Sequence, residues 1–378
     1  MGAWLPVYAQ FPLRAVSGKG SWITDDQGEK WLDAYGGHAV AATGHCHPDV
    51  VRAIAEQAAT LIFYSTAIPH AGREALAELI ADHCPDPLGK VFFCNSGAEA
   101  NENALALARK VTGRQTIVSV SGGWHGRTAA TLAVTDGAKY EEGARRAGMP
   151  LSIKVPFNDV AAMSAAVDAT VAAVIVEPVQ GLAGARDCSP DFLRAARLAC
   201  DREGAVLIFD EIQCGVGRCG AFTAASAYEV VPDVLTLAKG LAAGLPIGAM
   251  VATPAMTANL KVGDLGSTFG GGPVPCAAAI ANLEVIKEER LIDNAVMVGD
   301  LIRRAAEKIP AVGKVWGRGL LLGLALDRPA TVVQKALFSL RILTGTSSDP
   351  TILRLMPPLS FSRTEANLLI DALRRVLS

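Results

Sequence analysis

The sequence predicts an α/β fold, a mainly parallel sheet covered by helices with a smaller domain beside it, and three observations carry the prediction. Apolar runs of strand length alternate with helical patterns through the middle of the chain. At 378 residues the chain is longer than one minimal core requires. The two ends are unlike the middle: the first is rich in Gly and Trp to about Asp49, and the last carries a long helical pattern, CAAAIANLEVIKEERL, after Pro273. The expected division is residues 50–272 as the large domain, with 1–49 and 273–378 as the two parts of the smaller one.

The elements follow in order. VFFC (91–94) is the first strand, and the helical stretch AEANENALALARK comes after it. TIVSV (116–120), VAAVIVEP (171–178) and AVLIFD (205–210) are apolar runs of strand length, with the helical SPDFLRAARLACDREG between the last two. DVLTLA is a further strand-like run, and it ends just before Lys239. In an open α/β sheet the ligand sits beyond the carboxyl ends of the strands, so the residues after each run are the candidates for function.

After VFFC comes NSGAEANE. Ser96 is placed to cap a helix, and Gly97 and Ala98 would then present free backbone N–H groups at the positive end of its dipole. That is an ordinary capped helix or a phosphate cradle. After TIVSV comes SGGWHGRT, where the glycines allow tight turns, Trp124 offers a flat face and Arg127 a planar fork suited to a carboxylate; a core tryptophan and a surface arginine are the other reading. Asp210 closes a buried strand, where an unpaired carboxylate is costly, so it faces a cation or caps a loop.

Lys239 lies in TLAKGLAAGLPIGAM, the one charged side chain of that stretch. Its stem lies along the surface with the head in water, or it is buried, in which case desolvation favours the neutral, nucleophilic amine. Parallel strands deliver their last residues to one edge, so Asp210 and Lys239 are able to face one ligand. A phosphate cradle, a stacking ring, a carboxylate aimed at a cation and a buried amine together describe the needs of pyridoxal 5′-phosphate.

Composition excludes several alternatives. Lys+Arg 35 against Asp+Glu 37 gives a net charge of −2 without a basic block, which argues against nucleic acid as a partner. The apolar content is 51% and the mean hydropathy +0.30, yet the most apolar span, Leu235 to Met256, is broken by Gly240, Gly244, Pro246, Gly248 and Pro254. No membrane span is expected. The opening MGAWLPVYAQFPLRAV is not a secretory signal, and eight cysteines at this length read as reduced, buried thiols of a cytoplasmic protein. His45, Cys46 and His47, like Cys214 and Cys219, lack a second ligand pair at a recognisable spacing, so no metal is expected.

Taken with their order, the motifs GHCHPDVVRAIAEQ, NSGAEANENALALAR, WHGRT, EPVQG, FDEIQCGVGRCG, LAKG, GSTFGGGPVPCAAA and ILRLMPPL closely resemble the class III, fold-type I, pyridoxal-phosphate aminotransferases, in the acetylornithine/ornithine branch. The resemblance runs through nearly the whole chain. It implies that Lys239 is the lysine that carries the cofactor and Asp210 the partner of its ring nitrogen. Gln213 lies by the phenolic oxygen, Gly97 and Ala98 at the phosphate and Trp124 on the ring, while Thr268 reaches the phosphate held by the other subunit of a homodimer. Arg127 matches the residue that holds the α-carboxylate of an ornithine-like donor, and Arg354 the one that holds the α-carboxylate of 2-oxoglutarate.

The implied activity is transfer of a distal amino group, from N-acetylornithine in arginine biosynthesis, to 2-oxoglutarate. Ornithine, 4-aminobutyrate or a carrier-linked lysine are alternative donors, and an aminomutase of the same fold is the alternative reaction. The sequence departs from the branch at Leu182, where EPVQGLAG replaces EPxQGE and removes a glutamate that pairs with the second arginine. Ala98 and Cys214 each stand where the branch has Thr, and His38, in the segment that lines the donor pocket of the branch, either touches a substrate tail or packs, packing being the expectation.

Overall fold

The computed structural model describes residues 3, 5 and 7–378. At its centre is a seven-stranded sheet with the order Lys90–Cys94, Gly248–Ala252, Val234–Leu237, Val206–Asp210, Val171–Val176, Thr116–Val120, Ile153–Val155. All neighbouring pairs are parallel except those made by Gly248–Ala252, which runs antiparallel to both of its neighbours. The apolar run after Lys239 is thus a turn and a returning strand. Among the described residues no helix is long and apolar enough to cross a membrane.

Sequence chemistry explains why these segments take these forms. Every residue of Val171–Val176 and Val206–Asp210 is buried, as β-branched and apolar runs covered on both faces should be. Full burial of each such Val or Ile contributes about 1.5–3 kcal/mol. Helix Gly97–Thr112 begins at Ser96, whose hydroxyl accepts from Glu99 N at 3.2 Å, and ends at Gly113 in the left-handed conformation. Its buried face carries Ala100, Ala104, Leu105 and Ala108 against the sheet. Pro190–Glu203 repeats the pattern, with Ser189 as N-cap, Pro at the first turn and Gly204 as C-cap.

Both ends of the chain meet in one small sheet, where Ile342–Leu343 pairs in parallel with Lys30–Asp33 beside Trp22–Asp25 and Ala15–Lys19. A second sheet, Val312–Arg318, Leu321–Leu326, Ile352–Leu355 and Gly345–Thr346, holds Arg354. The segment between Asp33 and His45 runs from the first of these sheets toward the active edge of the central one. Met356 N donates to Ala34 O at 2.9 Å and Leu359 N to Ala42 O at 2.7 Å, which fastens it to the chain that follows Arg354. The cysteines are free thiols, six buried and Cys84 half-buried, but Cys46 is exposed, contrary to the sequence expectation, because its residue sits in a left-handed turn between His45 and His47. Those two histidines pair with Asp33 and Glu289 at 2.8 and 3.0 Å.

Candidate active site

The carboxyl edge of the central sheet opens into a cavity of about 710 Å³. Asp210 is the last residue of its strand, in register with Thr236 of the adjacent parallel strand, and Lys239 follows three residues beyond Thr236. The strand pairing therefore brings together the two residues that the sequence placed at one edge.

Asp210 is 3% exposed and its carboxylate is fully engaged. One oxygen, Oδ2, accepts from Asn101 Nδ2 at 2.7 Å and lies 2.8 Å from His125 Nδ1; the other accepts from Ile212 N at 3.1 Å. Of the two readings of this aspartate, the cap is seen directly, in the bond that Oδ1 accepts from Ile212 N. Asn101 is fully buried and its amide is saturated, donating to His125 O at 2.8 Å and accepting from Thr236 Oγ1 at 2.7 Å. An acid fixed in this way cannot swing away from whatever cation lies in front of it.

Lys239 lines the same cavity, and among the described residues its amine has no hydrogen-bond or ion-pair partner. Its backbone is left-handed at φ 44°, a conformation that costs a non-glycine residue free energy and is kept where the surroundings dictate it. The surroundings are visible: Asn282, itself fully buried, donates to Gly240 O at 2.9 Å and Leu241 O at 3.1 Å. Burial lowers the lysine's pKa below the ordinary value, the charges of Asp210 and Glu177 opposing the shift and that of Arg354 reinforcing it. The sequence alternative of a surface lysine is thereby set aside.

The remaining residues line the cavity around this pair. Gly97 and Ala98 form the first turn of the helix, pointing its N-terminus at the cavity; a Cβ on Gly97 would sit 2.7 Å from Ile212, so that close approach requires glycine. Trp124 lies at the wall with its ring edge-on to Tyr140, centroids 4.8 Å apart. Gln213 donates to His38 O at 3.4 Å. Arg127 is exposed at the mouth, 5.1 Å over the Trp124 ring, and donates to Tyr8 Oη at 3.1 Å. Arg354 is 4% exposed and donates to Thr346 O at 2.6 Å and Gly181 O at 3.1 Å. Thr268 is exposed and does not line the cavity of its own chain.

Several residues in or behind the cavity wall escaped the sequence analysis. Glu177 closes a buried strand just as Asp210 does, and accepts from Trp124 N at 2.7 Å and Gly181 N at 3.0 Å; burial first, then the neighbouring Asp210 charge, raises its pKa. The argument used for Asp210 would have found it. Asn101 was detectable as a polar residue on the apolar face of its helix. His125 stood in the quoted WHGRT, and its Nε2 is buried without a partner. Tyr8 carried no signal, being in an irregular segment without periodicity. His38 does not pack, as the sequence expectation had it, but lines the cavity, with Nδ1 2.6 Å from Tyr35 Oη.

This donor set fits pyridoxal phosphate. The helix N-terminus suits a phosphate, the immobilised Asp210 suits a cationic ring nitrogen, the unpartnered amine suits an aldehyde, and the two arginines suit carboxylates.

Comparison with known proteins agrees. The family model described as aminotransferase class-III matches residues 6–377. The chain is 40% identical to the acetylornithine aminotransferase of Methanocaldococcus jannaschii over 385 residues, covering 99% of this chain and 96% of that protein. It is 42% identical to the acetylornithine aminotransferase of Streptomyces coelicolor over 372 residues, covering 97% and 91%. Among solved structures, the ornithine aminotransferase from Toxoplasma gondii superposes with a TM-score of 0.92 at 30% identity, covering 99% of this chain and 92% of that one.

Proposed function

The chain belongs to the class III aminotransferases, and from that premise we propose that it transfers the distal amino group of N-acetylornithine to 2-oxoglutarate, giving a semialdehyde and glutamate. The observation that carries the reading is the pairing of a half-buried amine, Lys239, desolvated at the cavity wall, with a buried, doubly held acid, Asp210, in a cavity that also contains Arg127 and Arg354. Pyridoxal phosphate, when bound, supplies the aldehyde that stores the amino group and the electron-withdrawing ring that makes a substrate C–H acidic. Gly97, Ala98, Trp124, Asp210, Gln213 and Lys239 are the residues that would hold it.

The protein's own part is positioning and proton movement. Lys239 Nζ, largely desolvated, would be the base that takes a proton from the substrate carbon and delivers it to the cofactor side, not back to that carbon. Asp210, pinned by Asn101 and His125, would hold the protonated ring nitrogen of the bound cofactor. Arg127, with Tyr8 beside it, binds the donor's α-carboxylate and leaves the distal amine to react, while Arg354 binds the carboxylate of the keto acid. One pocket thus serves two substrates in turn.

A homodimer is part of the same reading. Ile62, Phe63, Tyr64, Ile68 and Phe269 are exposed large apolar residues, and the Phe63 and Phe269 rings lie 5.1 Å apart. A second copy covering this patch would take Thr268, next to Phe269, toward a neighbouring site, which is the role the sequence suggested for it. The function is tested by supplying 2-oxoglutarate with N-acetylornithine, ornithine or 4-aminobutyrate and measuring glutamate. Glutamate formed fastest from N-acetylornithine is the expected result, and none from that donor would overturn the proposal.

A further inference from the structure

Arg354 is a buried cation with no carboxylate partner among the described residues; its contacts are to the backbone carbonyls of Thr346 and Gly181. The next residue, Leu182, lines the same cavity and is aliphatic. An anionic ligand reaching Arg354 therefore meets no competing acid at that position. Polar residues lining the cavity with Arg354 include Glu177, whose charge it feels, Gln213 and His38, and behind His38 stands Tyr35.

That pair is built with some cost to the backbone. Gly36, Gly37, His38 and Ala39 are left-handed in succession, at φ 59°, 55°, 68° and 66°, and two of the four carry a Cβ. Gly36 admits no side chain, since a Cβ would lie 2.6 Å from Met356 O, two residues after Arg354. The run is thus fastened to the strand that carries Arg354, and it presents His38 to the cavity. Strain of this kind is retained where a side chain must be aimed.

The proton positions follow from charge. His38 keeps an exposed side, but its partial desolvation in the cavity, with the positive charges of Arg354 and Lys239, pushes the imidazole below the ordinary histidine range, so it is neutral at neutral pH. The Tyr35 hydroxyl lies 2.6 Å from His38 Nδ1, and burial raises the pKa of that phenol, so its O–H is kept as a donor to the ring nitrogen. A neutral imidazole that accepts at Nδ1 carries its own proton on Nε2.

We propose that His38, oriented by Tyr35, is a specificity-determining residue of this pocket: its Nε2–H is a second donor, beside Arg354, for the carboxylate of a dicarboxylic keto acid. The proposal rests on the transaminase reading for the identity of that acceptor. Its test uses glutarate, an inert five-carbon dicarboxylate, titrated calorimetrically into the holoenzyme. His38→Gly removes the ring at a backbone position that glycine accepts readily, and Tyr35→Phe removes only the hydroxyl.

One neutral hydrogen bond to a charged group predicts glutarate binding weaker by about tenfold in His38→Gly and about threefold in Tyr35→Phe. In turnover the change falls on KM for 2-oxoglutarate more than on kcat, and KM for N-acetylornithine moves less than KM for the keto acid. Glutarate affinity equal to wild type in His38→Gly, or equal losses for glutarate and for the amino donor, would overturn the assignment. Should N-acetylornithine fail as a donor altogether, the functional reading falls while the glutarate titrations still decide the role of His38.

Discussion

The floor of the cavity and its rim are built by different means. On the floor, Asp210, Glu177 and Lys239 are delivered at or just beyond strand ends, Asn101 by a helix packed on the same sheet and His125 by the loop after Thr116–Val120, and the Asp210 carboxylate and the Asn101 amide are saturated with partners. On the rim, Arg127, Tyr8, Tyr35, His38 and Gln213 come from irregular segments, and Arg127, Tyr8 and His38 are exposed. The floor has one geometry fixed by sheet register; the rim is held by a few contacts between distant segments. Chemistry that must not vary belongs on the first, and discrimination among ligands belongs on the second.

Substitutions on the floor should be the most damaging. Lys239→Ala is expected to lower turnover by about a thousandfold or more, the scale of a lost general base, measured as glutamate formed at saturating substrates. Turnover near wild type would remove the amine from the chemistry and erase the contrast. Asp210→Ala leaves the donors of Asn101 and His125 buried and unpaired, which should destabilise the fold by about 3–5 kcal/mol in urea unfolding and weaken uptake of pyridoxal phosphate.

Rim substitutions should act on affinity. Arg127→Lys keeps the charge but loses the fork, and a rise of about tenfold in KM for N-acetylornithine with little change in kcat is expected. An equal fall in kcat would move Arg127 from the rim into the chemistry. Leu182→Glu places an acid beside Arg354, so KM for 2-oxoglutarate should rise several-fold, and preference should move toward donors whose reacting amine lies away from any carboxylate. Unchanged donor preference would mean that Leu182 has no part in selectivity.

The smallest effect is a displacement along the pH axis. The amine reacts when neutral, and burial lowers the pKa of Lys239 below 10.5, so the neutral form persists to lower pH than in a free lysine. The rate at which apoprotein takes up pyridoxal phosphate should therefore fall, as pH is lowered, through a midpoint below 10.5. A midpoint at or above the free value would contradict the desolvated setting inferred for the floor.

The sequence made much of the floor legible because its residues sit at the ends of periodic segments. The strand-length runs ending at Asp210 and just before Lys239 pair in parallel, and Ser96 caps its helix as expected. Glu177 was equally legible and was passed over. The rim was harder to read. Nothing local marks Tyr8 as the partner of Arg127, 119 residues away, and no periodicity announces the left-handed run that turns His38 from a packed residue into a cavity wall.

By itself, then, the sequence determined the alternation of strands and helices, the helix caps, and the family to which the motifs belong, because each of these is written in neighbouring residues or in their order. Only the tertiary structure decided that Asn101 and His125 clamp Asp210, that Asn282 holds the Lys239 turn, and that His38, backed by Tyr35, lines one cavity with Arg354. Those meetings depend on register between strands and on the closure of long loops. A local pattern of apolar and polar residues carries no record of either.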